Sequence, residues 1–221
     1  AAAITIASFT IRKQNTRIAY DGLEAAFAVV GRELKEGEDR IANTGRQIVK
    51  AAELGGALKF IDGFKNNPAM GRDTRLRLIG QLHNLAVANG LWQLAVLNAA
   101  GEQELLVRLA GDQAILAYFD AGDKGKGFQV AKTAATSGGQ NLTWTFTDTS
   151  PVQDVGRLSV GAADDGGSYI GEIEGNVCLI SKIPVTATYF DPAADKEKEK
   201  TMGFLVAAKP LDQNFVERIA S

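Results

Sequence analysis

The sequence is poor in the residues that most often carry metal, redox or triad chemistry. Its 221 residues contain one cysteine, Cys178, and one histidine, His83. A lone cysteine cannot close an internal disulfide. No CxxC or CxxCH spacing exists for zinc, redox exchange or haem attachment, so Cys178 reads as a small apolar core residue. A lone histidine excludes His-rich metal sites, and it permits a Ser-His-Asp triad only if His83 itself serves. Proline is scarce too, with five in all and none before Pro68. No run approaches the roughly 20 apolar residues needed to cross a bilayer. An excess of one charge is also missing: 24 basic and 26 acidic side chains leave a net charge of -2. No field of either sign therefore favours nucleic acid or an anionic membrane.

What is present is the composition of a folded protein. Apolar residues make up 45% and charged residues 23%, which argues against disorder and allows one large domain or two small ones. The segment Ala1 to Ile11 (AAAITIASFTI) is short and apolar, without the charged n-region of a signal peptide. The absence of a leading methionine suggests a fragment. The segment reads either as the outer end of a truncated membrane helix or as an ordinary helix start or buried strand. Arg12, Lys13 and Arg17 follow directly, and such a cluster has a tendency toward the cytoplasmic side.

Leu23, Phe27, Val30, Leu34, Ile41 and Ile48 recur at three-, four- and seven-residue spacings, which places them on one stripe. The spacing predicts a single helix over about Phe9 to Glu53, near 65 Å at roughly 1.5 Å per residue, of a length suited to a stalk or dimer seam. A break is expected at Gly55-Gly56, followed by a short helix from Ala57 to Phe64 and a turn at Lys65 to Pro68. Asp73 is a plausible N-cap for the next helix, which carries Leu76, Ile79, Leu82 and Ala86 and stops at Asn89-Gly90. Trp92 to Leu97 and Glu104 to Leu109 predict a hairpin. Gly111 to Gly175 reads as an insertion. It holds a short helix near Ile115 to Phe119, a Gly/Lys-rich loop from Gly122 to Gly127, a strand-like Thr143 to Thr149 and a turn at Asp164 to Gly167. Two strands close the chain, Asn176 to Phe190 and Met202 to Ala208. The charged stretch Asp191 to Thr201 between them reads as a solvated loop, and Leu211 to Ala220 as a final helix. Pro184 requires a bulge or an edge. The order predicts an α+β fold, with a long N-terminal helix and short helices packed on an antiparallel sheet.

Catalytic constellations are not evident. Gly122 to Gly127 lacks the spacing of a phosphate loop, and Asp120 to Gly125 fails that of an EF-hand. Asp164 and Asp165 are neighbours whose side chains diverge on an extended chain. Asn141-Leu142-Thr143 fits a glycosylation sequon, a match common by chance. No catalytic residue, metal site or cofactor is therefore assigned. A small-molecule pocket is the better expectation, since aromatics cluster in the sheet and insertion. The expected lining is Trp92, Arg108, Tyr118, Tyr169, Lys182, Tyr189 and Asp191. Arg108 and Lys182 fall in or near strands, where each either reaches solvent or awaits an anionic partner such as an organic acid.

Three stretches carry a family resemblance. They are the long helix leading into "NGLWQLAVLNAAGE", the strand "NVCLISKIPVT" with its proline, and "TMGFLVAAKPLDQNF" at the end. Together they resemble the Cache (PAS-like) extracytoplasmic sensor domains of bacterial chemotaxis receptors, histidine kinases and diguanylate cyclases. The resemblance covers the whole chain as an order of elements and divides it into a signalling helix over 1–60 and a single PAS-like module over 61–221. It lacks an RxWY-like run, so an amino-acid ligand is not implied. The resemblance implies a periplasmic or extracellular portion of an inner-membrane protein and flanking membrane helices outside this sequence. It also implies a homodimer through the long helix and signalling through the terminal helices. The alternative is a cell-surface structural or protein-interaction module without a small ligand, and a hydrolase-like enzyme comes third.

Overall fold

The computed structural model describes residues 2–64, 67–122, 125–135, 142–150, 166–191, 195–213, 215 and 217, with side chains from Arg17 onward except those of Pro68 and Asp191. Its helices with described bounds are α1 (Ala2–Ala51), α2 (Leu54–Gly63) and α3 (Pro68–Ala88). Eight strands follow: β1 (Gln93–Asn98), β2 (Gln103–Ala110), β3 (Gln113–Asp120), β4 (Gly127–Ala134), β5 (Thr145–Thr147), β6 (Gly167–Ile173), β7 (Asn176–Asp191) and β8 (Lys196–Pro210). The class is α+β, as the sequence predicts. Residues 1–37 and 212–221 form one compact unit and 38–211 another.

In the first unit α1 is continuous through Gly31 and Gly37. Ile18, Tyr20, Leu23 and Phe27 are exposed there. Gln213, Phe215 and Glu217 are helical near the C-terminus.

In the second unit the strands form one antiparallel sheet in the order β5-β4-β3-β2-β1-β8-β7-β6. Leu94, Val96, Leu105, Val107, Leu116, Ile183, Val185 and Leu205 point from one face into the helices. There they meet Ile41 and Ile48 of α1, Leu54, Leu58 and Ile61 of α2, and Leu78, Ile79 and Leu82 of α3. The period-two alternation of the strands puts Ala95, Leu97, Leu106, Ala117, Ile180 and Val206 on the opposite face, packed with Trp92, Phe119, Tyr169 and Phe204.

Several local expectations are corrected. The break after α1 falls at Glu53, in the left-handed region at φ 50, and Gly55-Gly56 lies inside α2. Gly55 serves close approach: a Cβ there would lie 2.1 Å from the carbonyl oxygen of Thr186. Pro68 starts α3 rather than closing a turn, because its fixed φ suits the first helical position, and Asp73 is therefore interior. Ile115 to Phe119 is strand, within β3. Both faces of that strand are covered, so its apolar run lacks the alternation that distinguishes a strand from a short helix.

The described insertion is not a lid either. It supplies β3, β4 and β5 along one edge of the sheet and β6 at the other. Most of the charged stretch after Asp191 is strand too. Lys196 to Lys200 pair with Asp191 to Ala187 as an exposed two-stranded ribbon. Pro184 lies in β7 beyond the last pairing to β6, at Lys182, and one residue before a bulge, so its missing N–H interrupts no ladder. Asp164, Asp165 and Asn141 lie outside the described residues, as do Asp123 and Lys124 of the Gly/Lys-rich loop.

Candidate functional site

Strand register brings part of the expected lining into one row. Arg108 of β2 stands opposite Gln93 of β1, Gln93 opposite Ala208 of β8, Ala208 opposite Ile180 of β7, and Ile180 opposite Tyr169 of β6. Directly opposed residues share a face, so Arg108, Gln93 and Tyr169 all lie on the face away from the helices. Two residues along, the next row on that face runs Leu106, Ala95, Val206, Lys182.

Arg108 is the centre of this face. It is 5% exposed. Its Nε donates to Gln93 Oε1 at 2.9 Å, its Nη1 pairs with Glu174 Oε2, and its guanidinium lies 5.3 Å from the Trp92 ring centroid. Glu174 occupies the β6–β7 turn at φ 49. On a flat sheet β1 and β8 would separate β2 from β7 by roughly 14 Å. Contact between Arg108 and Glu174 therefore requires the sheet to curl toward this face.

Two buried donors here have no partner among the described residues, Arg108 Nη2 and Gln93 Nε2. Lys182 is 6% exposed, and its Nζ lies 4.1 Å over the Phe204 ring. The face thus carries two buried cations, and the ion pair formed there among the described residues is Arg108–Glu174. Burial alone raises the pKa of the Tyr169 hydroxyl. Burial also pushes the Cys178 thiol up to about 11, with Arg108 opposing part of the shift. Cys178 is thus a protonated core residue, as expected from its solitude.

The remaining expected residues lie elsewhere. Tyr118 points to the helix face, where its hydroxyl accepts from Arg72 Nε at 3.2 Å and its ring meets Trp144 edge-on at 5.0 Å. The Arg72 pKa is raised, chiefly by that hydrogen bond. Tyr189 is exposed in the β7–β8 ribbon, opposite Lys198. The side chain of Asp191 is outside the described residues. Sequence reasoning missed Gln93 and Glu174. Gln93 was signalled by alternation, because it lies two residues from Ala95 on the face opposite Leu94. Glu174 depends on sheet curvature, which no local pattern encodes.

A cavity of about 400 Å³ lies on the helix side, among Leu58, Ile61, Phe64, Arg75, Glu104 and Met202. None of the seven expected residues lines it. Its buried charges satisfy one another. Arg75 donates to Glu104 Oε2 through Nη2 at 2.7 Å and Nε at 3.0 Å, and Asn98 Nδ2 lies 3.4 Å from Glu104 Oε1. A second cavity, of about 220 Å³, lies between α3 and Trp144. Among the described residues no cluster of three His, Cys, Asp or Glu could hold a metal ion. No described helix is long and apolar enough to cross a membrane.

No family model matches the sequence, and no curated protein matches it. Among solved structures, one similar chain is named as the extracellular domain of a candidate histidine kinase, at 13% identity and a TM-score of 0.36. The match covers 87% of this chain and 62% of that one, so the chain spans less than two thirds of its length.

Proposed function

We propose that this chain is an extracytoplasmic sensor domain of the Cache (PAS-like) type, and that it binds a small anionic molecule on the helix-free face of its sheet. One observation carries the reading: Arg108 and Gln93 are hydrogen-bonded to each other, and their Nη2 and Nε2 atoms are buried with no partner among the described residues. Leaving a buried donor unmet costs about 1–3 kcal/mol, and more when it is charged. Both atoms are closed to water, so a ligand carboxylate would reach them as the face opens; it would then accept from both donors and offset the second buried cation, Lys182. Trp92 supplies an apolar wall beside the guanidinium. Glu174 already occupies one side of Arg108, so the incoming anion competes with it, and displacement would loosen the β6–β7 turn.

The test is a thermal-shift screen against organic acids, amino acids, amines and purines. An organic acid is expected to raise the melting temperature by mass action. Arg108→Met should weaken its binding at least tenfold, the effect of losing a charge-assisted hydrogen bond. Glu174→Gln should strengthen it by removing the competing carboxylate. Equal binding by wild type and both variants would contradict the placement.

The same reading makes α1 a homodimer seam. Tyr20 and Phe27 lie seven residues apart and continue through Leu34 to Ile41 and Ile48, yet Tyr20, Leu23 and Phe27 are exposed while Ile41 and Ile48 are buried. A second α1 in parallel would cover the exposed stretch. Cys178 is buried, so added cysteines report alone. Phe27→Cys should cross-link into dimers under oxidation at high protein concentration, and Ala25→Cys, off the stripe, should not. Equal cross-linking of both, or of neither, would argue against the seam.

A further inference from the structure

The larger cavity carries an inference independent of the Arg108 site. It lies on the helix side, where α2 and α3 meet the β1–β2 hairpin and β8. Leu58 and Ile61 of α2, Phe64 just after it and Met202 of β8 form its apolar wall. Asn98, Glu102 and Glu104 form its polar wall. Phe64 and Glu102 are exposed, so the cavity opens to solvent on their side.

Two carboxylates of the polar wall are held side by side. Asn98 Oδ1 accepts from the N–H groups of Ala100 and Glu102, which fixes its amide plane. Its Nδ2 then donates to Glu102 Oε2 at 2.9 Å and lies 3.4 Å from Glu104 Oε1. Arg75 places both of its bonds on the other oxygen of Glu104. Glu104 Oε1 therefore keeps one long contact, while its side chain remains 10% accessible beside the cavity. Glu102 takes part in no ion pair among the described residues. A carboxylate oxygen accepts more than one hydrogen bond, so the pair has acceptor capacity left. Asp62 adds a third carboxylate to the lining. The lining cations are Arg75, already spent on Glu104, and Lys200, which is exposed.

We propose that this cavity binds a small organic cation, a primary ammonium on an apolar body, of which benzylamine is the simplest probe. The ammonium has three donors and no acceptor, which suits two carboxylates facing one space. It donates to Glu102 and to Glu104 Oε1, and the ring lies against Leu58, Ile61, Phe64 and Met202. Hydrogen bonds between ionised partners are roughly twice as strong as neutral ones. The volume of about 400 Å³ falls within the roughly 300–1,000 Å³ of small-molecule sites. Among the described residues no three carboxylate, imidazole or thiol groups could hold a metal ion, so the acidic wall is matched to an organic cation. Occupancy would tie α2 to the β1–β2 hairpin. The two candidate sites take ligands of opposite charge on opposite faces, and neither depends on the other.

The side-chain amide of Asn98 lies between the two carboxylates, so its NMR signals report the site directly. Titration of the full ¹⁵N-labelled chain with benzylamine at neutral pH is expected to move those signals saturably. Benzyl alcohol, of matching shape and without charge, should bind about tenfold more weakly. Glu102→Gln keeps an acceptor for Asn98 and removes one charge, and it should weaken benzylamine binding about tenfold. Lys200→Gln removes a like charge and should bind benzylamine at least as tightly as wild type. Asn98 signals that stay still, or that move linearly with added benzylamine, would overturn the proposal. So would benzyl alcohol binding as tightly as benzylamine, undiminished benzylamine affinity in folded Glu102→Gln, or weaker binding by Lys200→Gln.

Discussion

Replacing Arg75 with leucine is expected to cost the second unit about 3–5 kcal/mol, the effect of removing one partner of a buried ion pair. Glu104 keeps only 10% of its side chain accessible, and Arg75 only 11%. Both donor nitrogens of Arg75 fall on the same carboxylate oxygen. Without them Glu104 is a buried anion with one long contact to Asn98. The pair also ties α3 to the start of β2, so its loss unseats a helix from the sheet. At roughly 2–4 °C per kcal/mol for a domain of this size, the melting temperature should fall on the order of 10 °C. Glu104→Met added to Arg75→Leu should recover much of the loss, since it removes the stranded charge. A single variant within 1 kcal/mol of wild type by urea titration would show that water reaches Glu104 freely.

Gly203→Val is expected to be comparably harmful, for a steric reason. Gly203 stands opposite Asn98 where β8 pairs with β1. A Cβ there would lie 2.1 Å from the carbonyl oxygen of Leu97 and 3.0 Å from Leu58 Cδ1. The first obstacle is backbone in the middle of the sheet, so relief requires the strands to separate. Overpacking of this kind costs about 1–3 kcal/mol and more where backbone must move. Gly22→Ala is the contrasting substitution. It lies in α1 with nothing within 4 Å of the added Cβ, and it should be neutral or stabilise by up to about 1 kcal/mol. The denaturant midpoint of Gly203→Val is expected to fall, and that of Gly22→Ala to hold or rise. A Gly203→Val midpoint equal to that of wild type would contradict the geometry.

The elements that local pattern dictates were legible in the sequence. The stripe through Leu23, Phe27, Leu34, Ile41 and Ile48 specified α1, and the turn Asn98 to Glu102 between two apolar runs specified the β1–β2 hairpin. Asn98 closes that hairpin by accepting from the N–H groups of Ala100 and Glu102. What local pattern could not specify was determined by neighbours. The strand β3 read as helix because its two faces are both apolar. The segment Lys196 to Lys200 read as loop because its charges are solvated, although its backbone is paired. Gly55-Gly56 read as a break because the close passage of Thr186 is a tertiary fact.

The site followed the same division. Arg108 and Lys182 stood out as charges in apolar strands, and register places them on one face. Tyr118 shares the helix face with Leu116, two residues away, while Ala117 and Phe119 take the opposite face, and a helical reading of β3 hid that parity. Glu174 joins Arg108 only through curvature of the sheet.

The most direct measurement of the central claim is the side-chain Nε–Hε resonance of Arg108 in an ¹⁵N-labelled chain titrated with acetate. Acetamide, of matching shape and without charge, and chloride at equal ionic strength are the controls. The account predicts a saturable shift with acetate that is larger in Glu174→Gln and absent with both controls. An Arg108 resonance equally indifferent to acetate, acetamide and chloride, in wild type and in Glu174→Gln, would contradict it.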